Sequence, residues 1–196
     1  MKRFLEHFSA DEPPTGHASA DELKQIENYG SGITELLITY GGCSFRRGLY
    51  RLHTPQSALK WTQITTEAFP RYTSRIFCFG YDWLGRQFAL DRLRMEDGQA
   101  QVLLIDLAFN EALEIPASFE VFHETELIDF TADVVSEPFF QEWLASGGAS
   151  PATDQCVGYK VPPTLGGTDT IENLELNDME VYWGVIGQIT ARIKKD

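Results

Sequence analysis

The chain has 196 residues, of which 43% are hydrophobic and 12% aromatic, so it carries enough apolar side chains to fill the core of one ordinary domain. It has 29 acidic and 16 basic residues and a net charge of -13, the wrong sign for a protein that tracks nucleic-acid phosphates. No apolar run approaches the ~20 residues of a membrane span, and the N-terminal residues lack the pattern of a signal peptide.

Helices are predicted at the start of the chain. Residues 9–20 are polar and contain two prolines and a glycine, so we expect a loop there. Ser19 or Asp21 is placed to cap a short helix that runs to Tyr29. A second helix is predicted over 33–40 from its apolar spacing, and the glycine pair that follows should end it.

The centre of the chain is predicted to be rich in strands. Residues 48–54 alternate in the manner of a strand, and Pro55 suits the first turn of a helix over 55–68. Four short apolar segments with short connections follow: 75–82, 86–92, 101–107 and 112–116. A turn at Asp97-Gly98 precedes the third of them. Such closely connected strands predict an antiparallel meander.

After the meander, the apolar residues again recur at helical spacing. A helix is predicted over 118–129, and Ser136 is expected to cap another helix that ends at the glycine pair 147–148. Residues 156–169 hold too much glycine and proline for regular structure. A final amphipathic helix is predicted from about Asn177, with these apolar residues at helical spacing: Met179, Trp183, Ile186, Ile189 and Ile193.

Helices before and after a run of strands predict an α+β fold, with a central antiparallel or mixed sheet flanked by helices. We expect residues 1–18 to be an N-terminal extension and residues 19–196 to form one domain. The pattern lacks the strand–helix alternation of a parallel doubly wound sheet.

The charge is concentrated in the second half of the chain. Residues 1–100 hold 12 acidic and 12 basic side chains, whereas residues 101–191 hold 16 acidic residues and one base, Lys160. A one-signed surface of this kind attracts a cationic partner and speeds encounter, although it also serves simply as a solubilising face. In the first half, Arg46, Arg47 and Arg51 form a basic group that pairs with the acidic half, is solvated, or binds an anion, and the first two interpretations are favoured.

No motif for a metal or cofactor is present. The three cysteines, Cys43, Cys78 and Cys156, are too few and too far apart for a disulfide framework, and free thiols fit a reducing cytoplasm. The four histidines are scattered, and the glycine pairs 41–42 and 166–167 lack the partners of a phosphate loop. We therefore expect no cofactor and no metal, and assign both glycine pairs to turns.

Three side chains are candidates for a small hydrolase or transferase. Asp82 and Asp91 flank the turn around Trp83 and Gly85, and Cys43 lies ten residues from His53. Each also has a structural interpretation, because an aspartate beside a turn often bonds backbone amides and a cysteine beside glycines is often a packing residue.

Three segments together resemble one family. Residues 36–55, LLITYGGCSFRRGLYRLHTP, are similar to the helix, glycine stop and strand of SUKH-like and GAD-like type VI secretion immunity proteins. Residues 75–91, RIFCFGYDWLGRQFALD, resemble their central hairpin, and residues 156–189 resemble their C-terminal portion. The resemblance covers most of 20–193 and implies an α+β domain of the broad Smi/Knr type.

The resemblance also implies a function. Such proteins are not enzymes; they bind and neutralise a cognate secreted toxin. For this chain we expect the partner to be a basic protein toxin, and we expect no binding to nucleic acid or to a membrane. We also expect the protein to act in the cytoplasm as a monomer or homodimer. We predict a toxin-binding surface made of these residues: Asp169, Glu172, Glu175, Asp178, Glu180, Tyr159 and Trp83. The alternatives are a regulatory scaffold of the same fold, an acidic mimic of DNA with two ordered rows of carboxylates, and the hydrolase above.

Overall fold

The computed structural model describes residues 1–13, 19–27 and 32–193. Within them the helices are α1 (Lys2–His7), α2 (Ala20–Glu27), α3 (Ile33–Tyr40), α4 (Pro55–Ala68), α5 (Phe119–Val121), α6 (Leu127–Asp129), α7 (Thr131–Val134), α8 (Glu137–Ala145) and α9 (Met179–Ile193). The strands are β1 (Ser44–Phe45), β2 (Tyr50–Leu52), β3 (Ile76–Asp82), β4 (Gln87–Glu96), β5 (Gln99–Asp106), β6 (Glu111–Ser118), β7 (Gln155–Tyr159) and β8 (Leu174–Asp178). A π-helical turn, Phe122–Glu126, joins α5 to α6.

The first six strands form one antiparallel sheet in the order in which they occur in the chain, from β1 to β6. This confirms the predicted meander and the α+β fold. Asp97 and Gly98 both adopt positive φ angles, 49° and 76°, in the tight turn between β4 and β5. The strand predicted over 48–54 is shorter than expected, and the two-residue β1 precedes it.

The central sheet is covered on both faces, because its successive side chains alternate between two cores. Phe77, Phe79 and Phe88 point into one core, which the π-helical turn and α8 help to close. Cys78 and Ala89 point into the other core, where α4 and α9 pack.

Local signals specify α4 and α3 with the predicted bounds. The Thr54 hydroxyl accepts a hydrogen bond from the Ser57 amide at 3.0 Å, and Pro55 opens the first turn of α4. The Ser19 cap of α2 is also confirmed, since its hydroxyl and the Glu22 carboxylate bond each other's backbone amides. Residues 28–31, where that helix was expected to end, lie outside the described residues.

The N-terminal residues pack into the domain and do not form a separate extension as predicted. Phe4 and Phe8 are buried in the same core as the sheet, and Ala10 makes a β-bridge to Phe45. Arg3 forms an ion pair with Asp129 at 2.5 Å. The sequence gives no signal for these contacts, because they join residues separated by 35 positions, as for Ala10 and Phe45, to 126 positions, as for Arg3 and Asp129. Residues 14–18 of the predicted extension lie outside the described residues.

Two predictions in the second half of the chain are wrong. Residues 156–169 do contain regular structure, because β7 pairs with β8 in a second, two-stranded sheet. Ser136 precedes α8 but does not cap it, since its hydroxyl accepts a hydrogen bond from Arg86 Nη2 at 3.2 Å. The final helix and the glycine stop after α8 are where the sequence placed them. In the part of the chain that is described, no helix combines the length and the apolar character needed to span a bilayer.

Candidate functional site

The five predicted acidic residues lie along one short stretch of chain, which we call the acidic ribbon: Asp169, Glu172, Glu175, Asp178 and Glu180. All five side chains are exposed. The ribbon runs through a 3-10 turn, Ile171–Asn173, along β8, and into the first turn of α9. The sequence indicated the acidic density, and the fold holds it on an ordered segment.

The loop before β8 is held in place by one asparagine. The Asn173 amide nitrogen donates to the carbonyls of Val161 and Thr168 at 2.8 and 2.7 Å, and its oxygen accepts from the Val161 amide. A Cβ atom on Gly167 would lie 1.7 Å from the Val161 carbonyl oxygen, so only glycine fits there. Gly166 ends a 3-10 turn with φ 88°, which confirms that this glycine pair forms a turn.

Three members of the ribbon also have structural partners, namely Asp178, Glu180 and, through the Tyr159 hydroxyl, Asp169. The Asp178 carboxylate accepts a hydrogen bond from the Val181 amide at 2.8 Å and so caps α9. Glu180 forms an exposed ion pair with Lys60 at 2.5 Å, a contact of little energetic weight. Within the described residues the other carboxylates of the ribbon make no ion pair, so they keep their charge available to a partner.

Tyr159 is a buried residue that holds one carboxylate of the ribbon and is not exposed to anchor a partner. It is 5% exposed, lies on β7 directly opposite Leu174, and packs edge-on against Phe109. Its hydroxyl donates to the Asp169 carboxylate at 2.5 Å, and burial raises the pKa of this phenol. The prediction that Tyr159 is an exposed anchor is therefore wrong, because β8 and its loop cover the ring.

Trp83 is a core residue, so its assignment as an anchor is also wrong. Its side chain is completely buried, and its indole N–H donates to the Val135 carbonyl at 2.9 Å. The rings of Phe139 and Phe140 pack against it at 5.6 and 5.1 Å. The β3–β4 turn is exposed in a simple hairpin, but here the second sheet and α8 close over it.

An exposed apolar stripe on α9 was missed by sequence reasoning. Val181, Val185 and Ile189 recur every four residues and are 62%, 50% and 37% exposed. The opposite side of the helix, with Tyr182 and Trp183 among others, packs into the second core. The predicted apolar face of this helix included Ile189, which the fold leaves exposed. The i, i+4, i+8 spacing of the β-branched residues was the signal that should have revealed this second face.

The two features are continuous in the chain. Asp178 caps the helix on the amide of Val181, so the α9 stripe begins where the acidic ribbon ends. Elsewhere in the second half, several carboxylates are neutralised by bases of the first half, as in the pairs Arg46–Glu137 and Arg3–Asp129. The ribbon differs because only Glu180 is paired in this way among the described residues.

The side chains proposed for hydrolysis are not gathered into one site. Asp82 and Asp91 lie at opposite ends of the paired β3–β4 ladder, since Asp82 pairs with Tyr50 while Asp91 pairs with Ile76. Cys43 lies apart from both in the wall of a cavity. The Asp82 carboxylate is bound by Arg86 and two backbone amides, and burial raises its pKa to about 6.

Asp91 is likewise committed to structure, because it is fully buried and accepts from Arg75 Nε at 2.6 Å. His53, the expected partner of Cys43, bonds Gln87 and Ser57 and stacks on Tyr81 in the second core. Burial lowers the pKa of His53 to about 4 and raises that of the Cys43 thiol, so neither is prepared for nucleophilic chemistry.

The arrangement of the ribbon does not match a mimic of DNA. Glu175 pairs with Gly158, and Asp178 pairs with Gln155, so these two carboxylates project from opposite faces of β8. Two ordered rows of acids would need neighbouring carboxylates on one face. The ribbon instead presents scattered charge at the edge of an apolar stripe, as protein-binding surfaces often do.

Comparison with protein families finds a match in the C-terminal part of the chain. Residues 117–190 match the family described as "T6SS immunity protein Tdi1, C-terminal". The match covers less than half of the chain, and it includes both the acidic ribbon and the α9 stripe. The predicted resemblance to type VI secretion immunity proteins is therefore confirmed over these residues. No curated protein matches the chain.

A solved structure shares the fold of nearly the whole chain. The chain is similar to the crystal structure of Atu4351 from Agrobacterium tumefaciens, with a TM-score of 0.64 over 96% of this chain and 89% of that one. The two sequences are 16% identical, so the similarity concerns the fold alone.

Proposed function

We propose that this protein neutralises a secreted toxin of a type VI secretion system by binding it, without catalysing a reaction. The observation that carries the proposal is the family match over residues 117–190. Those residues place the exposed acidic ribbon beside the exposed α9 stripe, which is the combination that a protein-binding surface requires.

The acidic ribbon selects the charge of the toxin. Asp169, Glu172 and Glu175 are exposed and, within the described residues, belong to no ion pair. A basic toxin is attracted to such a surface over about a Debye length, ~8 Å at physiological salt, which raises the association rate. These charges add less to the lifetime of the complex, because exposed pairs gain little free energy.

The α9 stripe supplies the apolar contact. Val181, Val185 and Ile189 form one row on a helix whose other side is fixed in the core by Trp183, so binding them requires little new ordering. Burying such a row removes apolar area from water and slows dissociation. The toxin is thus expected to present an apolar patch with basic residues around it.

We further propose that neutralisation takes place in the cytoplasm, with the protein acting as a monomer or homodimer. The three cysteines are buried and unpaired, which suits a reducing compartment.

The first experiment is capture of the partner. The tagged protein is expressed in its native host under conditions that induce secretion, purified at low salt, and its bound proteins are identified. One stoichiometric, basic, secreted protein that is released by salt supports the proposal. Recovery of the protein alone, or of varied housekeeping proteins, contradicts it and favours a regulatory scaffold.

The second experiment separates the ribbon from the overall charge. A triple variant, Asp169→Asn, Glu172→Gln and Glu175→Gln, removes three charges but keeps the α9 cap and the Lys60 ion pair. The control removes three other exposed charges on helices, by Glu120→Gln, Asp133→Asn and Glu142→Gln.

We expect the ribbon variant to lower the association rate constant about tenfold at low salt and to flatten its salt dependence, while the control changes it much less. Stopped-flow association with the captured toxin measures both. Equal effects of the two triple variants would show that total charge, and not the ribbon, steers association.

A further inference from the structure

A cavity of about 560 Å³ opens between the β1–β2 turn and the loop before β7. Its walls include Asp11, Cys43, Arg47, Arg51 and Ser150. Its lining includes no residue of the acidic ribbon or the α9 stripe, although the loop before β7 continues to Asp154, whose carbonyl accepts a hydrogen bond from the Met179 amide. The basic group noted in the sequence thus contributes two arginines, Arg47 and Arg51, to the wall of one cavity.

Arg51 projects a buried guanidinium to this cavity. The residue is 3% exposed, and its Nη1 and Nη2 groups donate to the backbone carbonyls of Gly48 and Pro151. Its Nε–H group has no hydrogen-bond partner. A Cβ atom on Gly48 would lie 2.4 Å from Nη2, so this glycine leaves the room in which the guanidinium sits.

The second unsatisfied group belongs to Ser150, which also lines the cavity and directly precedes Pro151, the residue whose carbonyl accepts from Arg51. The Ser150 hydroxyl is buried and has no hydrogen-bond partner. These two atoms are the buried side-chain polar atoms left unpaired within the part of the chain that the structure describes, and both belong to residues that line the same cavity. Since buried polar groups are nearly always satisfied, their coincidence points to a ligand that accepts hydrogen bonds there.

Burial lowers the pKa of Arg51, and the carboxylates of Asp11 and Asp154 favour its charged form only from beyond ion-pair distance. The other buried or half-buried arginines of the sheet have a carboxylate partner, Asp91 for Arg75 and Asp82 for Arg86. Among the described residues, Arg51 has none within ion-pair distance.

Asp11, an acid in the cavity wall, uses its carboxylate within the β1–β2 turn. Its carboxylate accepts hydrogen bonds from the Ser44 hydroxyl at 2.8 Å and from the backbone amides of Arg47 and Gly48 at 3.0 and 3.2 Å. It therefore holds the β1–β2 turn and does not neutralise the guanidinium directly. A buried cation without a paired anion is unfavourable, and an anionic ligand relieves that cost.

We propose that this cavity binds a small oxyanion, the carboxylate or phosphate group of a metabolite, through Arg51 Nε–H and the Ser150 hydroxyl. The exposed Arg47 in the cavity wall adds a second positive charge that attracts the ligand. The cavity exceeds the size of the anionic group alone, so it accommodates an attached organic portion. The proposal does not depend on toxin binding.

The test is a titration of the full chain with inorganic phosphate and, separately, acetate, at constant ionic strength set with chloride. Binding is followed by the amide shifts of Gly48, Arg51 and Ser150 in nitrogen–proton NMR spectra. We expect saturable shifts at these amides with one or both anions, and the stronger of the two identifies the phosphate or the carboxylate class.

Two pairs of variants locate the site. Arg51→Met should abolish saturable binding, whereas Arg71→Met should leave it unchanged. Arg71 is a matched control because both guanidinium groups lie over a tyrosine ring, Tyr81 for Arg51 and Tyr72 for Arg71, but Arg71 is exposed and does not line the cavity. Ser150→Ala should weaken binding about tenfold, and Ser146→Ala should not, since that hydroxyl already bonds the Trp143 carbonyl.

If Arg51→Met fails to fold, as judged by circular dichroism, the Ser150 pair decides the question alone. The proposal is overturned if neither anion gives saturable shifts at the cavity amides. It is also overturned if a folded Arg51→Met or the Ser150→Ala variant binds as tightly as the natural sequence, because the anion would then sit elsewhere.

Discussion

Protonation of the buried His123 should make the fold sensitive to mild acid. Its ring is completely buried on the π-helical turn, and the rings of Phe119, Phe4 and Phe122 surround it at 4.5 to 5.1 Å. Nδ1 lies 2.8 Å from the Phe119 carbonyl and must donate to it, so Nε2 of the neutral ring accepts from the Tyr50 hydroxyl at 2.9 Å.

The size of the expected loss of stability follows from the shift of the His123 pKa. Burial lowers this pKa from its ordinary 6.5 to about 4. Below pH 6.5 His123 therefore binds a proton in the unfolded chain but stays neutral in the folded chain. The free energy of unfolding consequently decreases as the pH is lowered from 6.5 to about 4. At pH 5.0 the loss relative to pH 7.5 is about 2 kcal/mol for this one group.

Two other groups titrate in the same range. His53 has the same lowered pKa and the same sign. Asp82 has the opposite sign, because burial raises its pKa from 3.8 to about 6 and the folded state then binds the extra proton. A variant that changes His123 alone isolates its contribution, since the other two groups are common to both proteins.

The assay compares the natural sequence with His123→Phe by urea unfolding at pH 7.5 and pH 5.0. At pH 7.5 we expect the variant to be less stable by about 1–3 kcal/mol, because the Tyr50 hydroxyl and Phe119 carbonyl lose their partner. Adding Tyr50→Phe should recover part of that loss.

The decisive quantity is the difference between the two pH dependences. The natural sequence should lose about 2 kcal/mol more than His123→Phe between pH 7.5 and pH 5.0. Equal losses would mean that His123 titrates normally in the folded state, and would refute its description as a neutral core residue.

Two further predictions concern binding and packing. Val185→Asp should weaken toxin binding at least thirtyfold in a calorimetric titration, whereas Leu93→Asp, at a position 75% exposed on β4, should not; equal affinities would exclude the α9 stripe from the interface. Gly158→Ala should destabilise the protein by about 1–3 kcal/mol, because its Cβ would lie 2.4 Å from an aromatic ring of α9. Gly184→Ala, where a Cβ meets nothing within 4 Å, should instead stabilise α9 by up to ~1 kcal/mol, and the same sign for both would contradict the packing described above.

The candidate site was only partly visible in the sequence. Its acidic residues could be named, since charge density is a property of the composition and exposed positions tolerate charge. Trp83 and Tyr159 could not be placed correctly, because an aromatic residue beside a turn is equally compatible with the surface and with the core. The elements that cover them, β8 and α8, come from distant parts of the chain.

Much of the fold was determined by local signals in the sequence. Thr54 and Pro55 start α4, and Asp97-Gly98 joins two strands, because caps and tight turns depend on residues within a few positions of one another. The family resemblance, carried by short ordered segments, likewise indicated the C-terminal part that the family match confirms.

Only the tertiary structure decided the long-range features. The first residues of a glycine- and proline-rich segment form a strand, because β7 pairs with the distant β8. Gly158 on β7 leaves room for an aromatic ring of α9. The cavity beside Arg51 is likewise lined by Ser150, about a hundred positions away in the chain. Such contacts have no local sequence signal, because their free energy depends on which distant surfaces meet once the chain is folded.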